Sequence, residues 1–242
     1  MQGYQSLVAI WVGFICLPAL RADVVLYDSG AGVSGSGTAV GWYQPSTTMT
    51  QYSKAQSFSN SLGQATITAI SVWVAQGSAT LSGSFNLSLF NATGTVGSTA
   101  TPMVGLPIHS ASYSTAALGT LTGTAQQVTF SGLNWSIGNG NYFFALDATP
   151  MPNNSPAENF FTLRYSVPEV AGQNLAYSTD SLGSWTAYQV GLNHPTLAGT
   201  VYASVPEPGT LILAGLLLVL GAIVVIARQI RDKKPCKRLG LA

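Results

Sequence analysis

Ala65-Thr-Ile-Thr-Ala-Ile-Ser-Val-Trp-Val74 has the side-chain pattern of a β-strand. Apolar and small polar residues alternate at its start, and it ends in the apolar run Val72-Trp73-Val74. Successive side chains of a strand point to opposite faces of a sheet, so a period of two predicts a strand with one buried face.

The same period recurs along most of the chain before residue 205. Ser84–Asn91 repeats it and places Phe85, Leu87 and Leu89 on one face. Further stretches of this kind are 127–132, 142–147, 160–165, 185–190 and 197–202. Gly, Asn, Ser and Pro clusters separate them, and no stretch shows a sustained helical period with caps. The pattern predicts an all-β fold, an antiparallel β-sandwich that is jelly-roll-like.

A long apolar segment lies near the C-terminal end. Residues 210–227 carry no charge, and a helix of that length spans roughly 27 Å, close to the bilayer core of about 30 Å. Most of the nine Lys and Arg residues follow it, beginning with Arg228, Arg231, Lys233 and Lys234. Basic residues beside a span favour the cytoplasmic side. The segment predicts one transmembrane helix at 210–227 and a cytoplasmic basic tail at 228–242.

The residues before this segment are Val205-Pro206-Glu207-Pro208-Gly209. This motif, the apolar helix and a tail with Arg228 and Arg231 resemble, in that order, the PEP-CTERM sorting signal. The resemblance implies an exported protein of a Gram-negative, exopolysaccharide-producing bacterium and a membrane enzyme, exosortase, that processes the signal near Pro206-Glu207-Pro208. It further implies an inner-membrane intermediate and then a place at the cell surface or in the extracellular matrix.

The N-terminal residues have the features of a secretory signal peptide. Leu7–Leu17 is apolar, Pro18 ends this stretch, and Ala22 is the small residue at the predicted cleavage position. A retained N-terminal anchor is the alternative. The expected parts are the signal peptide (1–22), the exported domain (23–204) and the sorting signal (205–242).

The middle of the chain is also similar to exported domains that carry various anchors, the choice-of-anchor group. The resembling pieces are 56–58 leading to 69–74, 83–90, 133–138 and 140–146. The likeness spans roughly residues 23–202 and concerns the fold pattern alone. The group has no assigned activity that could be carried over.

Charged and reactive side chains are scarce in the expected domain. Lys54 and Arg164 are its basic residues, so it has no basic patch for nucleic acid. Cys16 and Cys236 both lie outside it, which excludes a disulfide framework or a cysteine nucleophile there.

No catalytic or metal-binding motif stands out either. His109 and His194 lie near prolines, in expected loops, and there is no Gly-x-Ser-x-Gly elbow. A carboxylate pair could be drawn from the scattered acids of any such chain, and calcium binding near Asp147 is equally unspecific. We therefore expect no catalytic residues, no metal, no cofactor and a non-enzymatic role.

Aromatic residues provide the main alternative. Trp42, Tyr43 and Trp185 lie next to Pro, Gly or Ser and are candidates for stacking on sugar rings, whereas core packing explains Trp73. Three functions stay open: a non-enzymatic surface or matrix protein, a polysaccharide-binding or adhesive module with exopolysaccharide as its partner, and a β-sandwich hydrolase. The first is preferred because the sorting signal is the specific feature of the sequence.

Overall fold

A computed structural model describes residues 21–30, 32–79, 81–188, 195–206, 215, 219–226 and 228. Most of the predicted signal peptide, much of the predicted membrane helix and the tail beyond Arg228 lie outside these residues. The chain divides into two compact units, of which Ala22–Val205 is one and Met1–Arg21 with Pro206–Ala242 is the other.

The described residues up to Pro206 form thirteen strands and one short 3₁₀-helix. The strands are β1 (Arg21–Asp28), β2 (Val33–Tyr43), β3 (Thr50–Asn60), β4 (Ala65–Gln76), β5 (Ser84–Thr93), β6 (Thr101–Pro102), β7 (His109–Ser114), β8 (Gln126–Ile137), β9 (Gly140–Asp147), β10 (Asn159–Ser166), β11 (Leu175–Ser178), β12 (Thr186–Ala187) and β13 (Gly199–Pro206). Strand pairs with a described register are antiparallel. The predicted all-β, antiparallel fold is confirmed, and the jelly-roll-like comparison stays a prediction.

Strand β4 is the centre of the first sheet. Strand β8 pairs with one of its edges over Ala65–Val74. The other edge is shared, because β13 pairs with Thr66–Val72 and β10 pairs with Val74–Gln76. Strand β2 continues the sheet beyond β10, and β1 continues it beyond β13. Strand β13 is therefore an inner strand with a neighbour on each side.

The second sheet is built on β3. Strands β9, β5 and β7 follow in that order on one side of it, and β11 with β12 lies on the other side. The two sheets are joined where β2 meets β3, through the short pairing of Gly41–Tyr43 with Thr50–Tyr52.

The larger of two hydrophobic clusters among the described residues lies between the sheets. The ring of Phe85 in the second sheet lies 5.8 Å from that of Phe130 and 5.4 Å from that of Phe161, both in the first sheet. Tyr27 of β1 similarly meets Phe144 of β9, with 6.1 Å between the ring centroids. Burying these apolar faces is the main stabilising contribution to such a fold.

A β-bulge in β4 places apolar residues on the same face although their spacing would put them on opposite faces. Ile67 and Ile70 are three positions apart and would face opposite sides of a regular strand. The register against β8 shifts between Ile67 and Ala69, and β13 shifts at the same level. As a result Ile67, Ile70 and Val72 are all fully buried in the same core.

The C-terminal unit is described only in part. Residues 219–226 are α-helical. Across the described residues, no helix has both the length and the apolar character needed to cross a bilayer. The predicted span at 210–227 is largely outside them, since residues 207–214, 216–218 and 227 are not described.

Candidate functional site

A cleft lined by tyrosines lies close to the junction of the two sheets. Its volume is about 360 Å³. Five half-buried tyrosines contribute to its walls, namely Tyr43, Tyr52, Tyr165, Tyr177 and Tyr188. The remaining lining residues are Gly37, Thr38, Ala39 and Lys54. None of the described lining residues is acidic, and Lys54 is the basic residue among them.

Lys54 is held in the cleft by the pairing of β3. Its neighbours in register are Leu146 of β9 and Tyr177 of β11. The side chain is 3 % exposed. Its Nζ lies 4.7 Å from the centroid of the Tyr52 ring and 4.8 Å from that of Tyr177, within the range of cation–π attraction.

The electrostatics of this lysine follow from its burial. Removing the ammonium group from water lowers the pKa of Lys54 to about 7, and no charge of a described residue contributes to the change. A buried lysine usually has a carboxylate partner that keeps it charged. In this cleft the rings of Tyr52 and Tyr177 lie where such a partner would be.

The tyrosines present both rings and hydroxyl groups. Tyr43 packs on Phe160, with 4.8 Å between ring centroids, and the Tyr177 and Tyr188 rings lie 6.0 Å apart. Burial raises the pKa of Tyr52 and also that of Tyr165, which the nearby Tyr188 hydroxyl raises further. Their hydroxyls therefore stay protonated in neutral solution and can donate hydrogen bonds.

The three aromatic residues chosen from the sequence lie in different places. Tyr43 lines the cleft. Trp42 is packed against the core, and its Nε1 donates a hydrogen bond of 2.9 Å to the Met151 carbonyl oxygen. Trp185 is 9 % exposed and packs on Phe90 in a separate apolar cluster. Sequence reasoning missed Lys54 and Tyr52, although Tyr52-x-Lys54 on one strand face was a usable signal.

The candidate catalytic groups have structural contacts. His109 begins β7 rather than lying in a loop, and its ring stacks on Trp135 at 5.7 Å, while His194 lies outside the described residues. Asp147 accepts a 2.6 Å hydrogen bond from the Thr149 hydroxyl, and Asp180 accepts one of 2.6 Å from the Ser184 hydroxyl. Within the described part of the chain, no three His, Cys, Asp or Glu residues are grouped as metal ligands.

The second candidate site begins where the last strand ends. Strand β13 pairs with β4 as far as Ser204, packs Val205 against the core and ends at Pro206. Proline has no backbone N–H and cannot extend a ladder of hydrogen bonds. The rest of the motif, Glu207, Pro208 and Gly209, lies outside the described residues, as do Arg231, Lys233 and Lys234.

Residues 204–231 match the family described as the PEP-CTERM protein-sorting motif. The chain carries a PEP-CTERM sorting signal. The match covers the Pro-Glu-Pro motif, the apolar segment and both Arg228 and Arg231, so the recognition of this signal from the sequence is confirmed. No curated protein and no solved structure matches the chain, and the choice-of-anchor likeness therefore stays a prediction.

The PEP-CTERM signal has direct consequences for the handling of the protein. It indicates export through the envelope of a Gram-negative bacterium, association of the C-terminal segment with the membrane and sorting by an exosortase-type enzyme. The matched segment begins at residue 204, within the last three residues of β13, so the folded domain leads directly into the sorting signal along the chain.

Proposed function

We propose that this is a non-enzymatic protein of the cell surface or extracellular matrix. Its β-domain is delivered there after exosortase-type processing at the PEP-CTERM signal. The signal peptide takes the chain across the inner membrane, and the segment 210–227 holds it there with the basic tail inside. The observation that carries the proposal is the sorting motif at residues 204–231.

The position of the motif relative to the strands supports release of an intact domain. Strand β13 is hydrogen-bonded to β1 and β4, and its final residue is Pro206. A cut after Pro206 leaves both pairings in place, whereas a cut within β13 would remove part of an inner strand. The Pro-Glu-Pro backbone beyond it favours an extended conformation, which suits entry into the cleft of a processing enzyme.

Substitution of the motif is expected to stop release. With Pro206, Glu207 and Pro208 all replaced by Ala in the native host, the protein should remain in the membrane fraction. The measurement is the distribution of full-length and shortened protein between membrane and medium. Leu106→Ala, at a side chain that is 95 % exposed, is the control and should be released like the wild type. Equal release of the motif variant would contradict the proposed role of the signal.

A second function, glycan binding, is favoured by the tyrosine cleft. Aromatic rings beside hydroxyl donors are the chemistry by which proteins hold sugar rings, and the volume of about 360 Å³ lies at the lower end of small-ligand sites. The exported protein is expected to be retained on immobilised exopolysaccharide of its host. Tyr177→Ala should lose retention and Trp185→Ala should keep it; the reverse result would place the contact at Trp185.

A further inference from the structure

We propose that the tyrosine cleft binds an acidic sugar, a uronate residue of a glycan, with the sugar carboxylate on Lys54 Nζ and the pyranose ring on the tyrosine faces. The inference rests on the glycan-binding function proposed above and adds the chemical class of the ligand.

Lys54 is buried without an anionic partner among the described lining residues of the cleft. The side chain is 3 % exposed, and the described residues that line the cleft include no carboxylate. Burying a cation without an anionic partner is costly, and an apolar side chain of similar length would fill the same space without that cost. An anion that enters the cleft supplies the missing partner.

Lys54 differs in its contacts from Arg164, the other basic residue of the expected domain. Arg164 donates hydrogen bonds to the backbone carbonyl oxygens of Gly35 and Gly123, and its Nη2 lies 3.0 Å from the second of these. Arg164 thereby connects β10 with β2 and with the segment that precedes β8. Lys54 has no such hydrogen bond in the described structure and lies against two aromatic rings instead.

The aromatic walls of the cleft favour a sugar over a simple anion. Phosphate or acetate would use Lys54 alone, whereas the walls of the cleft consist of tyrosine rings at different angles, including Tyr43 tilted 53° from Tyr52. Such rings stack on the C–H faces of a pyranose, and the protonated hydroxyls of Tyr52 and Tyr165 can hydrogen-bond its hydroxyl groups. A uronate offers a carboxylate to Lys54 and a pyranose ring to the tyrosines in one sugar residue.

Binding is expected to depend on pH through Lys54. A carboxylate beside the ammonium group favours its charged form and raises the pKa of Lys54 above about 7, so binding at pH 8 takes up a proton. The other titratable groups that line the cleft are the hydroxyls of Tyr43, Tyr52, Tyr165, Tyr177 and Tyr188, of which Tyr52 and Tyr177 contact Lys54 through their rings. Affinity should therefore fall between pH 7 and pH 9.

The experiment is calorimetric titration of the full chain in detergent with a galacturonate trisaccharide, the matching neutral galactose trisaccharide, acetate and phosphate. We expect the galacturonate to bind, with proton uptake at pH 8, and Lys54→Met to weaken it about 30-fold or more. Tyr202→Ala is the matched control, because this 37 % exposed tyrosine of β13 lies outside the cleft, and it should bind like the wild type.

The other outcomes separate the two proposals. Equal binding of both trisaccharides with no effect of Lys54→Met would overturn the acidic-sugar inference and leave glycan binding standing. If acetate or phosphate bound as tightly as galacturonate, the inference that the cleft recognises a sugar ring would be overturned. No binding of either trisaccharide, with retention on the host exopolysaccharide unaffected by Tyr177→Ala, would overturn the inference and the cleft as a glycan site together.

Discussion

Lys54→Met is expected to raise the free energy of unfolding at pH 6 and to leave it nearly unchanged near pH 11. Lysine in the unfolded chain has a pKa of 10.5, and burial lowers the pKa of Lys54 to about 7. Between these values the unfolded state binds more protons than the folded state, so wild-type stability rises with pH across that window. Below about pH 7 both states are protonated, and the cost of burying the charge is present in full.

The size of this effect follows from two opposing contributions. Each unit of pKa difference corresponds to about 1.4 kcal/mol, and the two cation–π contacts offset part of the cost of burial. We therefore expect Lys54→Met to add roughly 2–4 kcal/mol at pH 6. That gain would be a large fraction of the stability of an ordinary domain, about 5–15 kcal/mol.

Urea denaturation of the wild type and Lys54→Met at pH 6, 8 and 10 measures this difference. Ionisation of the tyrosines cancels in the comparison, since both proteins contain them. Lys54→Arg is the matched control, because arginine stays protonated throughout and should not gain relative stability as the pH rises. If the free energy of unfolding changed with pH in the same way for the wild type and Lys54→Met, Lys54 would not be buried in its charged form at low pH.

Phe85→Ala is expected to lower the free energy of unfolding by about 3–5 kcal/mol. Phe85 is fully buried, and its ring meets those of Tyr113, Phe130 and Phe161 at 5.4 to 6.0 Å. Because the contacts with Phe130 and Phe161 cross from the second sheet to the first, removing the ring leaves a cavity between the sheets.

Thermal and denaturant unfolding of Phe85→Ala would measure this loss. Leu106→Ala is the control, since its side chain is 95 % exposed and surface substitutions usually change stability by less than about 0.5 kcal/mol. Matching midpoints for the two variants would mean that Phe85 does not bridge the sheets.

The strands that the sequence predicted are those with an apolar period of two. Strands β4, β5, β9 and β10 occur where the alternation placed them, and β8 runs on to Ile137 beyond the predicted stretch. The bulge at Ile67 was not predictable, because a phase shift of the apolar residues becomes a bulge only when strands on both sides accommodate it.

Strand β3 was missed for a different reason. Its buried positions carry polar residues such as Lys54, Gln56 and Ser57, so no apolar period is visible. These residues are stabilised by contacts distant in sequence, as when the Leu197 backbone N–H donates a 2.7 Å hydrogen bond to Gln56 Oε1. Similarly, β2 begins at Val33 within the stretch Gly30–Gly35, whose glycine-rich composition is typical of a loop.

The two candidate sites differ in how far the sequence could reveal them. The PEP-CTERM signal is a continuous segment whose order alone identifies it, so no knowledge of the fold was needed. The cleft joins tyrosines from residue 43 to residue 188, and the pairing of Lys54 with Tyr177 depends on the register of β3 against β11. Such a site is set by the fold rather than by local spacing.

The central claim is that the β-domain is exported and processed at both ends, and intact-mass analysis in the native host tests it most directly. The protein recovered from the envelope and the medium should include a species that begins after Ala22 and ends near the Pro206-Glu207-Pro208 motif. A mature species that still contains residues 210–242, in a host with an exosortase, would contradict the claim. The protein would then be a membrane-anchored β-domain that is displayed without being released.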